Sequence, residues 1–113
     1  YKEYDYQKIC DIAAAPHFTY RDKDVFDMAF LEWDNTARYR EKATIYKGCT
    51  PPIFEKNFRR LVQKAEQKPE GRRFVYINAW NEWAEGTYLE PDEKNGYGYL
   101  EAVQRVMRER TQD

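Results

Sequence analysis

The sequence has few of the residues that mark disulfide-rich, metal-binding or membrane proteins. Its 113 residues include two cysteines, Cys10 and Cys49, too few for a disulfide framework and at a spacing that matches no zinc pattern. We therefore expect a reducing, cytoplasmic location. No segment approaches the ~20 apolar residues of a membrane span, and no signal peptide is visible. The sequence predicts no metal, no cofactor and no membrane span.

An excess of charge of one sign is also missing. The net charge is −1, from 19 basic and 20 acidic residues, so nothing favours binding to nucleic acid or to an anionic membrane. His17 is the only histidine, and no Ser-His-Asp arrangement can be built around it. No glycine-rich phosphate loop is present, which argues against a nucleotide site of that type.

Aromatic residues are plentiful, at 17% of the chain. A disordered chain would be poor in aromatics, so we expect one folded domain over residues 1–113 with a core of large rings. Hydrophobic spacing predicts an order of helix, strand, loop, helix, strand, loop and helix, with helices over 5–14, 50–67 and around 99–107, and strands over 25–31 and 73–79. Residues 15–24, 32–36, 39–50 and 81–91 read as loops or irregular segments.

This alternation indicates an α/β fold with parallel strands. Two strands are too few for an independent parallel sheet covered on both faces. An eightfold barrel takes about 250 residues, or roughly 30 for each strand-helix unit, so this chain would supply about three units. We therefore expect a portion of a (β/α)8 barrel of the TIM type.

Two unusual clusters follow the carboxyl ends of the predicted strands. Trp33-Asp34-Asn35 follows the first strand, and the run from Trp80 to Glu85 follows the second. Barrel active sites are built from such strand-to-helix loops. The placement predicts a functional site that both clusters line.

The second cluster contains an acidic pair, Glu82 and Glu85. Chemistry at a glycosidic bond uses two carboxyl groups, one as acid and the other as base or nucleophile. Residues three apart share a face of a helical turn, whereas on a strand they point to opposite faces. The pair therefore converges only if the loop turns helically, and packing the two together would raise one pKa.

Aromatic and amide side chains around the pair suit a sugar. Trp80 and Trp83 offer flat apolar faces, and polar contacts to hydroxyls could come from four residues, Asn78, Asn81, Asp34 and Asn35. Each has a simpler explanation, because loop glutamates are commonly solvated and Trp at strand ends commonly belongs to the core. Glu90, Asp92 and Glu93 could bind a cation, but they lack the register of a calcium loop.

At this run the sequence resembles a known family. The stretch from Ile77 to Asp92, INAWNEWAEGTYLEPD, and the later Tyr97-Gly98-Tyr99-Leu100-Glu101-Ala102 look like the WbsX-type glycosyltransferase-like family, as do Trp33-Asp34-Asn35-Thr36 and Arg38. The resemblance runs from about Tyr4 to about Met107. It implies a bacterial enzyme of lipopolysaccharide, O-antigen or other surface-polysaccharide metabolism, whose partner is an oligosaccharide or polysaccharide. The substrate-binding set it implies is Trp33, Asp34, Asn35, Arg38, Asn78, Trp80, Asn81, Trp83 and Glu90.

The same run is similar to the catalytic loop of glycoside hydrolase family 99, the endo-α-mannosidase-like barrels. That resemblance implies the last strands of a (β/α)8 barrel and a retaining mechanism through a 1,2-anhydro sugar. It gives Glu82 the role of base at the sugar 2-hydroxyl and Glu85 that of acid/base at the glycosidic oxygen. Ala84 stands where those hydrolases have His, so both the sugar and the choice between hydrolysis and transfer stay open.

Two other functions compete with catalysis. A carbohydrate-binding module would use Trp33, Trp80 and Trp83 without any reaction. A structural domain would use the cluster to bury a hydrogen-bonded corner. If the chain is the last part of a barrel, half of the pocket lies outside it, and we expect little or no activity from these 113 residues alone.

Overall fold

A computed structural model of the chain describes residues 1–15 and 25–110. In chain order the elements are β1 (Lys2–Asp5), α1 (Tyr6–Ala14), β2 (Asp27–Phe30), β3 (Trp33–Asp34), α2 (Thr36–Tyr39), a 3-10 turn (Arg40–Lys42), β4 (Thr44–Lys47), α3 (Pro51–Glu66), β5 (Val75–Asn78), β6 (Asn81–Glu82), a second 3-10 turn (Trp83–Glu85), β7 (Thr87–Tyr88) and α4 (Gly98–Arg110). Most of the predicted loop over 15–24, with His17, lies outside the described residues.

The two predicted strands are present and lie side by side. β2 and β5 pair in parallel, from Asp27 opposite Val75 to Phe30 opposite Asn78. α3 lies between them in sequence and packs on both strands. A parallel pair needs a crossover of this kind, so β2, α3 and β5 form a βαβ unit that α4 follows.

The second sheet was not predicted. β1 pairs in parallel with β4, and the two-residue β3 pairs antiparallel with β4. The readings of 32–36 as a loop and of 39–50 as irregular were therefore wrong. All four residues of β1 are exposed and none of β4 is fully buried. Neither strand therefore has the buried apolar run in its sequence by which strands were predicted.

The helices begin where the sequence predicts. The Asp5 carboxylate accepts a hydrogen bond from the Lys8 amide at the start of α1. Thr50 caps α3, and Pro51 and Pro52 occupy its first turn, where a missing amide hydrogen costs nothing. The last helix, predicted around 99–107, is α4.

The core lies between α3, α4 and one face of the β2–β5 pair. The Phe54 and Phe58 rings stack with centroids 5.6 Å apart, and Tyr99 meets Phe54 edge-on. Buried residues of this core also include Tyr6, Cys10, Ala29, Leu31, Cys49, Val62, Leu89, Ala102 and Val106. Both cysteines are free thiols in it, rather than a disulfide.

The other face of the β2–β5 pair is open. Successive strand residues point to opposite faces, so Met28 and Tyr76 lie opposite the side that carries the buried Ala29. These two side chains are paired in register and are 50% and 59% exposed. The described residues form three small sheets and no closed barrel. Across 1–15 and 25–110, no helix has the length and apolarity to cross a membrane.

Candidate functional site

The loop after β5 folds back onto the strand ends. The buried Thr87 hydroxyl donates to the Asn78 carbonyl at 2.8 Å and accepts from the Leu31 amide at 3.4 Å, so it joins the ends of β5 and β2. The Leu89 amide donates to the Ala79 and Trp80 carbonyls, both at 3.1 Å. The Asn78–Ala79 peptide bond is cis. The hydrogen bonds of Thr87 and Leu89 fix the hairpin of β6 and β7 above the carboxyl ends of the parallel pair.

A tight turn brings the acidic pair together. Glu82 ends β6 and is exposed, whereas Glu85 ends the 3-10 turn and is buried. Gly86 closes the turn with a positive φ of 68°, a conformation that favours glycine. The neighbouring Glu85 carboxyl, through a hydrogen bond and through its charge, raises the pKa of Glu82. The 3-10 turn therefore brings the two carboxyl groups close enough for one to act on the other.

Arg38, on α2 in the loop after β2, faces this pair. Its Nη2 lies 3.7 Å from Glu85 Oε1, too far for a hydrogen bond but within the range of an ion pair. Glu85 Oε2 is buried and accepts no hydrogen bond from the described protein. A buried carboxylate oxygen without a partner is costly, so Oε2 is an acceptor available to a proton or a ligand.

A cavity opens beside Glu85. Its volume is about 260 Å³, and it is lined by Asn35, Ala37, Arg38, Ala84 and Glu85. Residues from both strand-to-helix loops therefore line one space. The small side chain of Ala84 is part of this lining.

The hairpin also carries an aromatic platform. The Trp83 and Tyr88 rings stack with centroids 3.6 Å apart, and Trp83 Nε1 donates to Glu90 Oε1 at 2.9 Å. Trp83 remains 48% exposed, so the ring face away from Tyr88 is open. The Glu90 carboxylate, predicted to bind substrate, is used to orient this ring. Trp80 is 53% exposed beside the hairpin.

The polar side chains of the first loop stabilise the loop itself, because they accept hydrogen bonds from its backbone amides. Asp34 Oδ1 accepts from the Thr36 amide at 2.9 Å, and Asn35 Oδ1 accepts from the Thr44 amide at 2.8 Å. Trp33 is half-buried on β3, opposite Tyr46. In the second loop Asn78 is half-buried, and Asn81 is exposed on β6 opposite Tyr88. Of the predicted residues, the structure gathers Asn35, Arg38, Glu82 and Glu85 at the cavity and the pair.

Three residues that matter to the site were not predicted. Thr87 and Tyr88 belong to the run from Ile77 to Asp92 that resembles the family. Nothing in the sequence pattern indicated that Thr87 joins the two strand ends or that Tyr88 stacks on Trp83. Glu32 lies two residues after the end of β2, and a carboxylate close to a strand end was the signal that could have found it. Burial raises the pKa of Glu32, against an opposing effect of Lys94. Within the described ranges, no cluster of three or more His, Cys, Asp or Glu could hold a metal ion.

Comparisons with known proteins place the chain in a family. The uncharacterized protein WxcX of Xanthomonas campestris pv. campestris, in each of two strains, is 42% identical to it over 76 residues. That alignment covers 66% of this chain and 11% of WxcX, so the chain spans about a tenth of the length of these relatives. No solved structure matches the chain significantly. A family described as glycosyltransferase WbsX matches residues 1–103, and the chain therefore belongs to the glycosyltransferase WbsX family.

Proposed function

We propose that the whole protein is a carbohydrate-active enzyme that acts on glycosidic bonds of bacterial surface polysaccharide, such as lipopolysaccharide O-antigen, with Glu82 and Glu85 as its acid–base pair. One observation carries the proposal: Glu85, whose carboxyl group raises the pKa of Glu82, lines a cavity that both strand-to-helix loops share. An acid and a base in contact with one ligand are what chemistry at a glycosidic bond needs. The glycosyltransferase name of the family fits a carbohydrate substrate.

The open face of Trp83 is the proposed contact for a sugar ring. Sugar rings carry patches of C–H groups that pack on flat aromatic faces, and Tyr88 and Glu90 hold this ring in one orientation. The cavity beside Ala84 would take a hydroxyl-bearing part of the same substrate, with Asn35 and Arg38 as polar contacts.

We also propose that the chain is the carboxyl-terminal portion of a (β/α)8 barrel. The βαβ unit of β2, α3 and β5, followed by α4, is the repeating unit of such barrels. Helices cover one face of the strand pair, while the apolar Met28 and Tyr76 are open on the other face, as residues of a barrel interior would be before the remaining strands enclose them. Turnover by these 113 residues alone would contradict this proposal.

The test uses the full-length protein and its Glu82→Gln variant. Oligosaccharides released from the surface polysaccharide of the source bacterium and labelled at one end serve as substrates. We expect turnover to fall by about 10²–10⁴-fold, the usual contribution of an acid or base, while oligosaccharide binding persists. Unchanged turnover with intact binding would favour the non-catalytic carbohydrate-binding module, which the exposed Trp80 and Trp83 also fit.

A further inference from the structure

We propose that a row of three aromatic side chains, Trp33, Tyr46 and Tyr4, is a further binding surface, which holds sugar rings of the oligosaccharide on one side of the acidic pair. The inference rests on the proposed function, since the ligand is the same carbohydrate. It adds Tyr46 and Tyr4, which the sequence did not predict, to the binding surface. It also gives the substrate a length, because a row of rings suits a chain of several sugars rather than one sugar unit.

The row follows from the pairing of the sheet formed by β1, β4 and β3. Tyr46 on β4 lies opposite Tyr4 on β1 and opposite Trp33 on β3. Residues opposite each other on neighbouring strands point to the same face of a sheet, so the three side chains share one face. The Tyr4 and Tyr46 rings meet edge-on, with centroids 6.2 Å apart. Neighbouring strands lie about 4.8 Å apart, and the row therefore crosses about 10 Å of sheet.

The opposite face of this sheet is charged. Lys47 Nζ donates to Glu3 Oε1 at 2.8 Å, in an exposed ion pair between β4 and β1. Because side chains alternate along a strand, this ion pair lies on the face away from Tyr4 and Tyr46. The sheet therefore has a solvated charged face and an aromatic face, and only the aromatic face suits the apolar patches of a sugar ring.

The Trp33 end of the row lies beside the acidic pair. β3, which carries Trp33, packs against the 3-10 turn that ends at Glu85. Asn35, directly after β3, lines the cavity beside Glu85. From there the row leads across β4 to β1. A carbohydrate with one bond at the acidic pair can therefore continue over the aromatic face.

The rings are supported from within and partly open to a ligand. The Phe30 ring packs on Tyr46 with centroids 5.7 Å apart. Tyr46 and Trp33 are half-buried, and Tyr4, at the far end of the row, is 40% exposed. Each tyrosine also has a hydroxyl that can donate to or accept from a sugar hydroxyl. An apolar ring with a polar edge matches a ligand that has C–H patches and hydroxyl groups side by side.

The test measures how activity depends on the length of the oligosaccharide. The probes are end-labelled oligosaccharides of graded length from the surface polysaccharide of the source bacterium, and the protein is the full-length chain. The measured quantity is the ratio of kcat/KM on the longest oligosaccharide to kcat/KM on the shortest. We expect Tyr4→Ala to lower this ratio by about 2–10-fold, the contribution of one aromatic contact. Tyr4→Phe, which keeps the ring, should retain most of the ratio.

Tyr46→Ala should lower the same ratio, and urea denaturation accompanies it because Tyr46 also supports Phe30. Two matched controls should leave the ratio unchanged. Glu3→Ala alters the same strand on its other face. Phe74→Ala removes a ring of similar exposure, 52%, at the amino-terminal end of β5.

An unchanged ratio in Tyr4→Ala and Tyr46→Ala would overturn the proposal. If stability alone falls in these variants, the aromatic face is covered by another part of the protein rather than by sugar. An equal fall in Glu3→Ala would also overturn it, since the strand and not the ring would then matter. Turnover that is independent of length defeats this inference alone, whereas a protein that neither binds nor turns over any of the oligosaccharides defeats the proposed function as well.

Discussion

The loops after β2 and β5 use similar residues in opposite ways. In the first loop, the Asp34 and Asn35 side chains accept hydrogen bonds from backbone amides of the loop itself. In the second, neither Glu82 nor Glu85 accepts a hydrogen bond from a backbone amide of the described residues, the Glu85 carboxyl group raises the pKa of Glu82, and Glu85 Oε2 is buried without a hydrogen-bond partner in that part of the chain. Polar groups that are satisfied locally stabilise a structure, whereas groups held together without partners are available for chemistry.

Matched amide substitutions test this difference most strongly. Glu85→Gln should lower turnover by about 10²–10⁴-fold, because it removes one member of the acid–base pair. Asp34→Asn, in the first loop, should weaken the hydrogen bonds within that loop and lower turnover much less. Activity of the full-length variants on end-labelled oligosaccharides measures both effects, with Glu101→Gln on α4 as a surface control. Equal losses in the two loops would erase the distinction.

The bridge between the loops should matter for stability. Thr87→Val keeps the shape of the side chain but leaves the Leu31 amide and the Asn78 carbonyl without their buried partner. We expect a loss of about 1–3 kcal/mol in the free energy of unfolding, measured by urea denaturation of the full-length protein.

Thr36→Val is the matched control for this substitution. It also removes a hydroxyl hydrogen bond, but at an exposed position where water can replace it, so its cost should stay below about 1 kcal/mol. If the two variants cost the same, the buried bridge has no special role in joining the strand ends.

The first loop should lose stability when its amide oxygen is removed. Asn35→Ala leaves the Thr44 amide without its acceptor, and we expect a cost of about 1 kcal/mol by the same measurement. Asn81→Ala in the second loop is the comparison, since its side chain is exposed. A larger cost at Asn81 than at Asn35 would contradict the structural role given to the first loop.

The pair in the second loop should weaken the fold as pH rises. The pKa of Glu82 is raised in the folded state by Glu85, so between its unfolded and folded values the folded state binds more protons. The free energy of unfolding therefore falls as pH increases through that window. Glu82→Gln should flatten this dependence and stabilise the protein above the window, whereas Glu101→Gln should leave it unchanged. Urea denaturation from about pH 4 to about pH 8 measures the slope.

The sequence was sufficient where the pattern was local. β2, β5 and the three main helices followed from apolar spacing, and Asp5 and the Thr50-Pro51-Pro52 run predicted the starts of α1 and α3. β1 and β4 could not be predicted in this way, because neither contains a buried apolar run and both form by pairing between segments far apart in the chain.

The sequence predicted the acidic pair of the site, but not the cation that lies beside it. The run from Trp80 to Glu85 pointed to the acidic pair, and the condition that it turn helically was stated from the spacing alone. The partner of Glu85 was not predictable, since Arg38 lies in a different loop and meets Glu85 only when the fold joins the two strand ends. The same is true of Thr87, whose hydroxyl forms that join.

A crystal structure of the full-length Glu82→Gln variant with oligosaccharide from the source bacterium's surface polysaccharide tests the central claim most directly. The account predicts a glycosidic bond whose oxygen and neighbouring hydroxyl lie within hydrogen-bonding distance of residues 82 and 85, part of the ligand in the cavity beside Glu85, and a sugar ring on the open face of Trp83. An oligosaccharide bound elsewhere, with Glu85 Oε2 still unpartnered and the cavity empty, would contradict it.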